Sequence, residues 1–334
     1  MHAPQFWYTA PDTPHIAARL LGPLGWIYAS ATARRLQQPS RLSAKCPVIC
    51  IGNINAGGTG KTPTVIALVQ MFLAMGKRPH IVTRGYGGQA QGPIEVNPRY
   101  HRAAQVGDEP LLLAAFATTW VAKDRVQGAQ AAQNAGADVI LLDDGFQDPS
   151  VTKTLSLVIV DAARGFGNGK CLPAGPLREP AQTGLARADA LVSIGPENAQ
   201  RAFKKHWGHV LNLPHFEARL TPLAMGMDWS SGRYLAFAGI GHPEKFFTTL
   251  RGLGAQLAHC EALSDHQNLS TTLMKRLQAQ AQTLNAQLVT TEKDAVRLPD
   301  GFQGEVLTLP VRLEVQDIDG FSAIIGEAVS DTAS

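Results

Sequence analysis

The sequence predicts an α/β fold: a mostly parallel sheet flanked by helices, with a second, smaller α/β lobe joined by a β linker and an N-terminal amphipathic helix. Three observations predict it. Short apolar β-type runs alternate with helical runs from residue 48 to residue 194, the pattern of a parallel sheet covered on both faces. The first run, Val48-Ile49-Cys50-Ile51, opens into a glycine-rich segment that ends in Gly60-Lys61-Thr62 and leads into a helix. After an interruption at 209–223, around Pro214, the alternation resumes.

The arm, 1–45, comes first. Within residues 1–50, Arg19, Arg34, Arg35, Arg41 and Lys45 face Asp12 alone, whereas the whole chain of 334 residues carries a net charge of +3. The basic character therefore sits in the arm, and the near-neutral remainder gives no argument for nucleic acid. Residues 20–33 are apolar and uncharged, with Leu20, Leu21, Leu24, Trp26, Ile27 and Tyr28, and they run into Arg34-Arg35. The run is too short to cross a hydrocarbon core of about 30 Å as a helix, and Pro23 and Gly25 interrupt it. Two readings stay open: a helix in a membrane interface, with Trp and Tyr at headgroup depth, or a helix packed on the protein's own core. No basic n-region precedes an apolar h-region, so no signal peptide is expected. The four cysteines form no C-x-x-C pair, which suggests neither a disulfide framework nor a zinc site and fits a reducing cytoplasm.

The core, 46–208, starts with a strand at 48–51 and a helix at 64–75. A strand at 80–83 ends in a second glycine-rich loop, Arg84-Gly85-Tyr86-Gly87-Gly88. Gly107-Asp108-Glu109-Pro110 precedes a helix at 111–117; Asp108 suits the capping position, with Glu109 and Pro110 in the first turn, and capping does not exclude a second role. A strand at 120–122, a helix at 126–134 and a strand at 139–142 follow, then Asp143-Asp144-Gly145. Strands at 155–160 and 190–194 complete the core. Residues 209–225 read as a β linker or hairpin. The smaller lobe, 226–334, holds strands at 234–238, 288–291 and 306–309 and helices at 243–250, 273–284 and 321–328.

Asn55-Ala56-Gly57-Gly58-Thr59-Gly60-Lys61-Thr62 reads as a phosphate-binding loop. Its glycines let backbone N–H groups close around phosphate oxygens, and the helix start adds partial positive charge. Lys61 would reach the β- and γ-phosphates, and Thr62 would place its hydroxyl on Mg²⁺. Asn55 stands where the motif has its first glycine. Asp143 and Asp144, ending an apolar strand, form a candidate metal site beside that loop. Thr291-Glu292-Lys293-Asp294 places its Lys one position too late for a guanine-selecting motif and also satisfies a capping box. The chain is thus expected to bind a nucleoside triphosphate.

Several motifs in order resemble the bacterial tetraacyldisaccharide 4′-kinases, of the P-loop NTPase superfamily. They are Gly52-Asn53 with Gly57 to Pro63, Arg84-Gly85-Tyr86-Gly87, Gly107-Asp108-Glu109-Pro110, Asp143-Asp144-Gly145-Phe146-Gln147, Gly165-Phe166-Gly167-Asn168-Gly169, Leu172 to Glu179, Phe237 to Gly241, Asp265-His266 and Thr291 to Ala295. The resemblance implies transfer of the γ-phosphate of ATP to the 4′-hydroxyl of a tetraacylated glucosamine disaccharide 1-phosphate, a lipid A precursor. It implies Asp108 as catalytic base paired with His266, Lys61 and Thr62 on phosphate and metal, and Mg²⁺ at Asp143 and Asp144. Arg84, Tyr86, Glu109, Gln147, Arg178 and Glu179 become active-site polar residues. Two positions depart: Asp148 stands where the family usually has His, and Gln267 follows His266 where a second His is common. A precursor in the inner leaflet favours the interfacial reading of the arm and a peripheral location on the cytoplasmic face of the inner membrane. No obligate protein partner is evident. The alternative is a switch-type P-loop ATPase acting as an assembly or localisation factor. The absence of N-K-x-D and the presence of the Asp108–His266 and Leu172–Glu179 features weigh against it.

Overall fold

In the computed structural model, which describes residues 3–330, the arm folds as α1 (Ile16–Leu20) and α2 (Gly22–Leu36). Residues 1, 2 and 331–334, the tips of the expected arm and smaller lobe, lie outside the described residues. Pro23 does not break the run: it sits in the first turn of α2, where a missing N–H has no intrahelical partner to lose. Gly25 is a point of contact and not an interruption, because a Cβ there would stand 2.9 Å from the Cys171 carbonyl oxygen. Ala18, Gly25 and Thr32 turn inward, while Leu20, Leu24, Trp26 and Ile27 face solvent. The arm therefore packs through its small residues and leaves its large apolar ones uncovered.

The remaining elements are β1 (Val48–Gly52), α3 (Lys61–Ala74), β2 (Pro79–Thr83), β3 (Ile94–Glu95), α4 (Ala103–Val106), α5 (Asp108–Leu113), β4 (Thr119–Val121), α6 (Arg125–Asn134), β5 (Val139–Asp143), β6 (Leu155–Asp161), α7 (Ala181–Leu185), β7 (Ala190–Ile194) and α8 (Glu197–Trp207). They continue through β8 (His215–Pro222), β9 (Arg233–Ala238), α9 (Pro243–Gly252), β10 (Gln256–Ala262), α10 (Thr271–Thr283), β11 (Gln287–Thr291), α11 (Glu292–Ala295), β12 (Leu307–Leu309), β13 (Val311–Val315) and α12 (Ile318–Ser330).

The large sheet has the order β13-β8-β7-β6-β1-β5-β2-β4-β3, parallel except for its two edges, β13 and β3. Its central strands are buried along their whole length, which is why they read as unbroken apolar runs. One face packs Ile49, Ile51, Leu157 and Phe216 against Phe72 of α3 and Phe321 of α12. The other packs Cys50, Leu142 and Val158 with Phe146 and, on α8, Phe203. The order changes direction at β1, so the crevice beyond the carboxyl ends of β1 and β5 is where such a sheet takes ligands. Ile51 and Asp143 are register partners there. A second sheet, β10-β9-β11-β12, is fully parallel and is covered on its two faces by α9 and α10.

Two expectations about lobe boundaries are corrected. The stretch read as a linker, 209–225, contains β8, a strand of the large sheet that runs parallel to β7. The chain also does not end in the smaller lobe as 226–334 implied: β13 pairs antiparallel with β8, and α12 buries Phe321 and Ile325 in the same core as Ile49. The smaller lobe is an insertion between two neighbouring strands. Sequence reading missed this because β8 and β13 find each other only in space. It also missed α8, whose mean composition is polar.

Candidate functional site

The phosphate loop lies between β1 and α3. Gly60 caps α3 with φ of 97°, a left-handed conformation that disfavours any Cβ. Asn53 holds the loop from inside, its Nδ2 donating to the Gly57 carbonyl at 3.0 Å and to Thr59 Oγ1 at 3.2 Å. Among the described residues the N–H groups of Gly57, Gly58, Thr59 and Gly60 make no internal hydrogen bond, so they are open donors at a helix start. Asn55 and Ala56 differ from the expectation. The Ala56 N–H donates to Pro176 O at 2.7 Å, and Asn55 Nδ2 donates to Gly165 O at 3.0 Å. These two residues anchor the loop to the 165–178 segment, and the phosphate-facing part begins at Gly57.

Asp143 and Asp144 end β5 next to Lys61. Lys61 Nζ lies 3.5 Å from Asp144 Oδ1, and Arg178 reaches the same oxygen at 3.1 Å. Asp144 takes a positive φ of 52°, which turns it toward these cations. Asp143 is 2% exposed; Thr83 donates to its Oδ2 at 3.2 Å, and its Oδ1 has no partner. Burial, then the negative charge of Glu109, push its carboxyl up to about 7. A buried carboxylate with an orphaned oxygen, beside a second carboxylate, fits a divalent cation. Among the described residues no three His, Cys, Asp or Glu side chains form a metal cage.

Asp108 opens α5. The capping residue is Gly107, not Asp108, and Asp108 Oδ1 accepts from the Glu109 N–H at 2.9 Å. Its Oδ2 accepts from His266 Nδ1 at 2.8 Å, across the gap between the lobes. Burial opposes ionisation of Asp108, but the hydrogen bond from His266, with Lys293 and Arg297 nearby, outweighs it and holds the carboxyl below its usual range. The same hydrogen bond raises His266 against the opposing effects of burial and Lys293. Tyr86 packs beside the imidazole, ring centroids 5.6 Å apart and planes tilted by 59°.

Two cavities meet at this helix start. The smaller, about 300 Å³, is lined by Gly58 to Pro63, by Glu109 and by apolar residues of both lobes such as Ile194, Leu220 and Phe246. The larger, about 970 Å³, is lined by Tyr86, Asp108, His266 and residues of α4, α10 and α11. Consecutive residues of one helix, Asp108 and Glu109, thus face different cavities.

The other expected site residues divide. Gln147 and Glu179 lie behind the loop: Gln147 Nε2 donates to Asn53 O at 2.8 Å and to Glu179 Oε1 at 3.0 Å, and Arg187 is paired with Glu179 at 2.6 Å. Glu179 is buried and already neutralised, so it holds Gln147, whose Oε1 accepts from Arg178 at 3.2 Å. Arg84 points away to Asp148 at 3.0 Å. Asp148 also accepts from buried Arg125, and Arg125 donates on to the backbone carbonyls of Asp143 and Asp144. Burial opposes it, but Ser150 and the two arginines hold Asp148 at about 2. Gln267, the second departure, accepts from the Ser264 N–H and closes the turn that carries His266. Sequence reading missed Arg125, Arg187 and Lys123, whose ammonium donates to the Arg84, Gly85 and Gly88 carbonyls and ties down that loop. It gave Lys293 no role of its own, the Thr291–Asp294 motif being read mainly as a helix cap.

The sequence model of the family described as tetraacyldisaccharide-1-P 4′-kinase matches residues 17–330. A tetraacyldisaccharide 4′-kinase of Dinoroseobacter shibae is 58% identical over 326 residues, covering 97% of each chain. One from a Jannaschia species is 57% identical over 317 residues, covering 95% of this chain and 96% of that one. Among solved structures, a crystal structure of LpxK from Aquifex aeolicus, described as in complex with ATP, superposes with a TM-score of 0.75 at 23% identity. It covers 94% of this chain and all of that one, which shows a shared fold.

Proposed function

The chain belongs to the tetraacyldisaccharide-1-P 4′-kinase family of phosphotransferases, and from that premise we propose what each part of its site does. The donor is ATP. Its phosphates lie on the open N–H groups of Gly57 to Gly60 and against Lys61, with the base among the apolar residues of the smaller cavity. The acceptor is the 4′-hydroxyl of a tetraacylated glucosamine disaccharide 1-phosphate, presented from the larger cavity. The observation that carries this assignment is the helix start at which Asp108 faces one cavity and Glu109 the other.

Phosphoryl transfer needs alignment and charge neutralisation more than covalent help. Lys61 neutralises oxygens of the β- and γ-phosphates. Asp143, Thr62 and Asp144 are the residues that would hold Mg²⁺, which when bound supplies further neutralisation and alignment. Arg178 screens Asp144. Asp108 accepts the hydroxyl proton, and His266 keeps its carboxylate oriented. Tyr86, 74% exposed at the mouth of the larger cavity, offers a face to the sugar.

The arm serves the lipid. Among the described residues no helix is long and apolar enough to cross a membrane. Leu20, at the end of α1, and Trp26, on α2, are 75% and 73% exposed. That supports a peripheral seat on the cytoplasmic leaflet of the inner membrane, apolar side chains entering the interface and Arg34 and Arg35 meeting anionic headgroups. The deciding experiment is purified protein with ATP, Mg²⁺ and the tetraacyl disaccharide 1-phosphate, products resolved by mass. One added phosphate on the disaccharide, lost in Asp108→Asn, is the expected result; transfer that persists in Asp108→Asn would overturn the assignment of the base.

A further inference from the structure

The N-terminal segment reaches the smaller cavity through one side chain. A short helical turn, Gln5–Tyr8, is tied to the loop after β6: the Asn168 N–H donates to Trp7 O at 2.7 Å, Asn168 Nδ2 donates to Phe6 O at 3.1 Å, and Trp7 Nε1 donates to Pro173 O at 3.0 Å. Arg164, on the same loop, lies over the Tyr8 ring with its Cζ 4.4 Å from the centroid, and its Nη1 donates to the Tyr8 hydroxyl at 2.9 Å. Its Nη2 donates onward to His242 Nδ1, 3.1 Å away at the start of α9 on the smaller lobe. A guanidinium has donors and no acceptor, and a ring nitrogen that accepts from it carries no proton. The one ring proton of His242 is then on Nε2. Burial, then Arg164 and Lys245, hold this imidazole below its usual range against the opposite pull of Asp161 and Asp265, which keeps it neutral. Among the described residues its side chain makes no other hydrogen bond, and it lines the cavity that holds Gly58 to Thr62.

We propose that His242 binds a phosphate oxygen of the nucleotide through its Nε2–H, and that Arg164, clamped on Tyr8, is the positioning residue that fixes the ring for that contact. Charge selects the phosphates over the base. His242 and Lys245, from the smaller lobe, share the cavity with Gly58 to Thr62, and Lys245 is tied to Asp161 at 2.6 Å. The rest of the lining, with Ile194, Leu220 and Phe246, is apolar and suits a base. An imidazole N–H whose other nitrogen already accepts from a guanidinium is polarised, so it donates more strongly than a free one. It also takes up no proton when the ligand binds. Tyr8 thereby contributes to nucleotide affinity without touching the nucleotide, from a position 156 residues before Arg164. An Asn at position 242 would do both jobs, its Oδ1 accepting from Arg164 and its Nδ2 donating to phosphate, whereas Leu would do neither.

The proposal rests on reading the smaller cavity as the nucleotide's, and its test measures binding without catalysis. The full-length protein is titrated by calorimetry, in Mg²⁺, with a non-hydrolysable ATP analogue carrying an imido β–γ bridge and, separately, with inorganic tripolyphosphate. His242→Leu is expected to weaken both by on the order of tenfold, and His242→Asn to regain most of that loss. Tyr8→Leu, which removes the stack and the hydroxyl together, is expected to weaken both by about threefold; Tyr8→Phe, which keeps the stack, loses less. The two Leu losses should not multiply in the double variant, because they act through one chain of contacts. NMR of the ¹⁵N-labelled histidine rings is expected to show His242 in wild type as the neutral Nε2–H tautomer. Should His242→Leu fail to fold, Tyr8→Leu decides. Unmoved affinity in the folded Leu variants, losses that multiply, tripolyphosphate unmoved while the ATP analogue weakens, or a wild-type ring that is charged or protonated on Nδ1 overturns the proposal. Failure of the cavity reading shows up separately, as undiminished binding of the ATP analogue by Lys61→Ala.

Discussion

His266 Nδ1 and Asp108 Oδ2 lie 2.8 Å apart, although their residues are 158 positions apart in the chain and stand on different lobes. The contact shifts both partners in directions that make stability depend on pH. Asp108 has a folded-state pKa below its unfolded value, so its contribution is present above the ordinary carboxylate range and is lost as pH falls through the depressed value. His266 has a raised folded-state pKa, so its contribution is present below the ordinary imidazole value and is lost as pH rises through the raised one. The melting-temperature gap between wild type and Asp108→Asn should therefore be widest in the window between those limits and narrow on either side. A gap that does not vary with pH would show that the pair is not coupled to folding.

Lys61→Ala should lower kcat by on the order of 10²–10³ while the protein stays folded. Circular dichroism and a thermal melt check the fold; single-turnover transfer checks the chemistry. Near-normal turnover in the folded variant would remove the phosphate loop from the mechanism.

Asp143→Asn separates stability from function. The buried carboxyl has one orphaned oxygen and a pKa pushed up to about 7 by burial and then by Glu109. An amide relieves that burdened charge, so the melting temperature should hold or rise while turnover falls by on the order of 10²-fold and excess Mg²⁺ restores little. Asp144→Ala should respond better to added Mg²⁺, because Asp144 is half-open and already shares Lys61 and Arg178. Equal Mg²⁺ dependence in both variants and wild type would exclude this strand end as the metal site.

Asp148→Ala strands a cation. The Arg125 side chain is 3% exposed and, with Asp148 gone, has only carbonyl partners. Removing one partner of a buried pair costs roughly 3 kcal/mol, measurable by urea unfolding. Asp148→His, which puts in the usual family residue, should lose a comparable amount here, because a neutral imidazole brings no negative charge to buried Arg125.

The arm is tested by changing Leu20, Leu24, Trp26 and Ile27 together to Ser. Each faces solvent, so the fold should hold. Sedimentation with anionic vesicles should drop, and KM for the lipid should rise far more than KM for ATP. Salt should release the wild type only partly, since about 1 kcal/mol per basic residue is screened and the apolar contribution is not. Normal vesicle binding by the variant would dismiss the membrane seat.

What was legible in the sequence follows a physical divide. Buried parallel strands announce themselves because both faces need apolar residues, so β1, β2, β5, β6 and β7 were readable, as was the loop that β1 feeds. Roles that depend on distant partners were not. Nothing local in His215–Pro222 says that β8 will pair with β13, and nothing near Arg125 says that it will brace the carbonyls of Asp143 and Asp144. Glu179 entered as an active-site polar residue through the family resemblance; in the structure it is buried beside Arg187 and supports Gln147. Lys293 was visible as a residue and invisible as a partner of His266, because the two are brought together only where β10 and β11 both pair with β9.

The return of the chain to the large sheet has a consequence for the order of assembly. Phe321 and Ile325 fill the core beneath Ile49, and β13 covers the edge of β8. A ribosome that has delivered every residue of the nucleotide-binding crevice has still not delivered the helix that seals the floor under it. Until the last segment emerges, the first strands carry an open apolar face, and the inserted lobe must be made, and its ends brought side by side, before that face can close. α12 is thus a latch for β1, and a chain cut short just before it would keep every phosphate-loop residue and lose the floor they rest on.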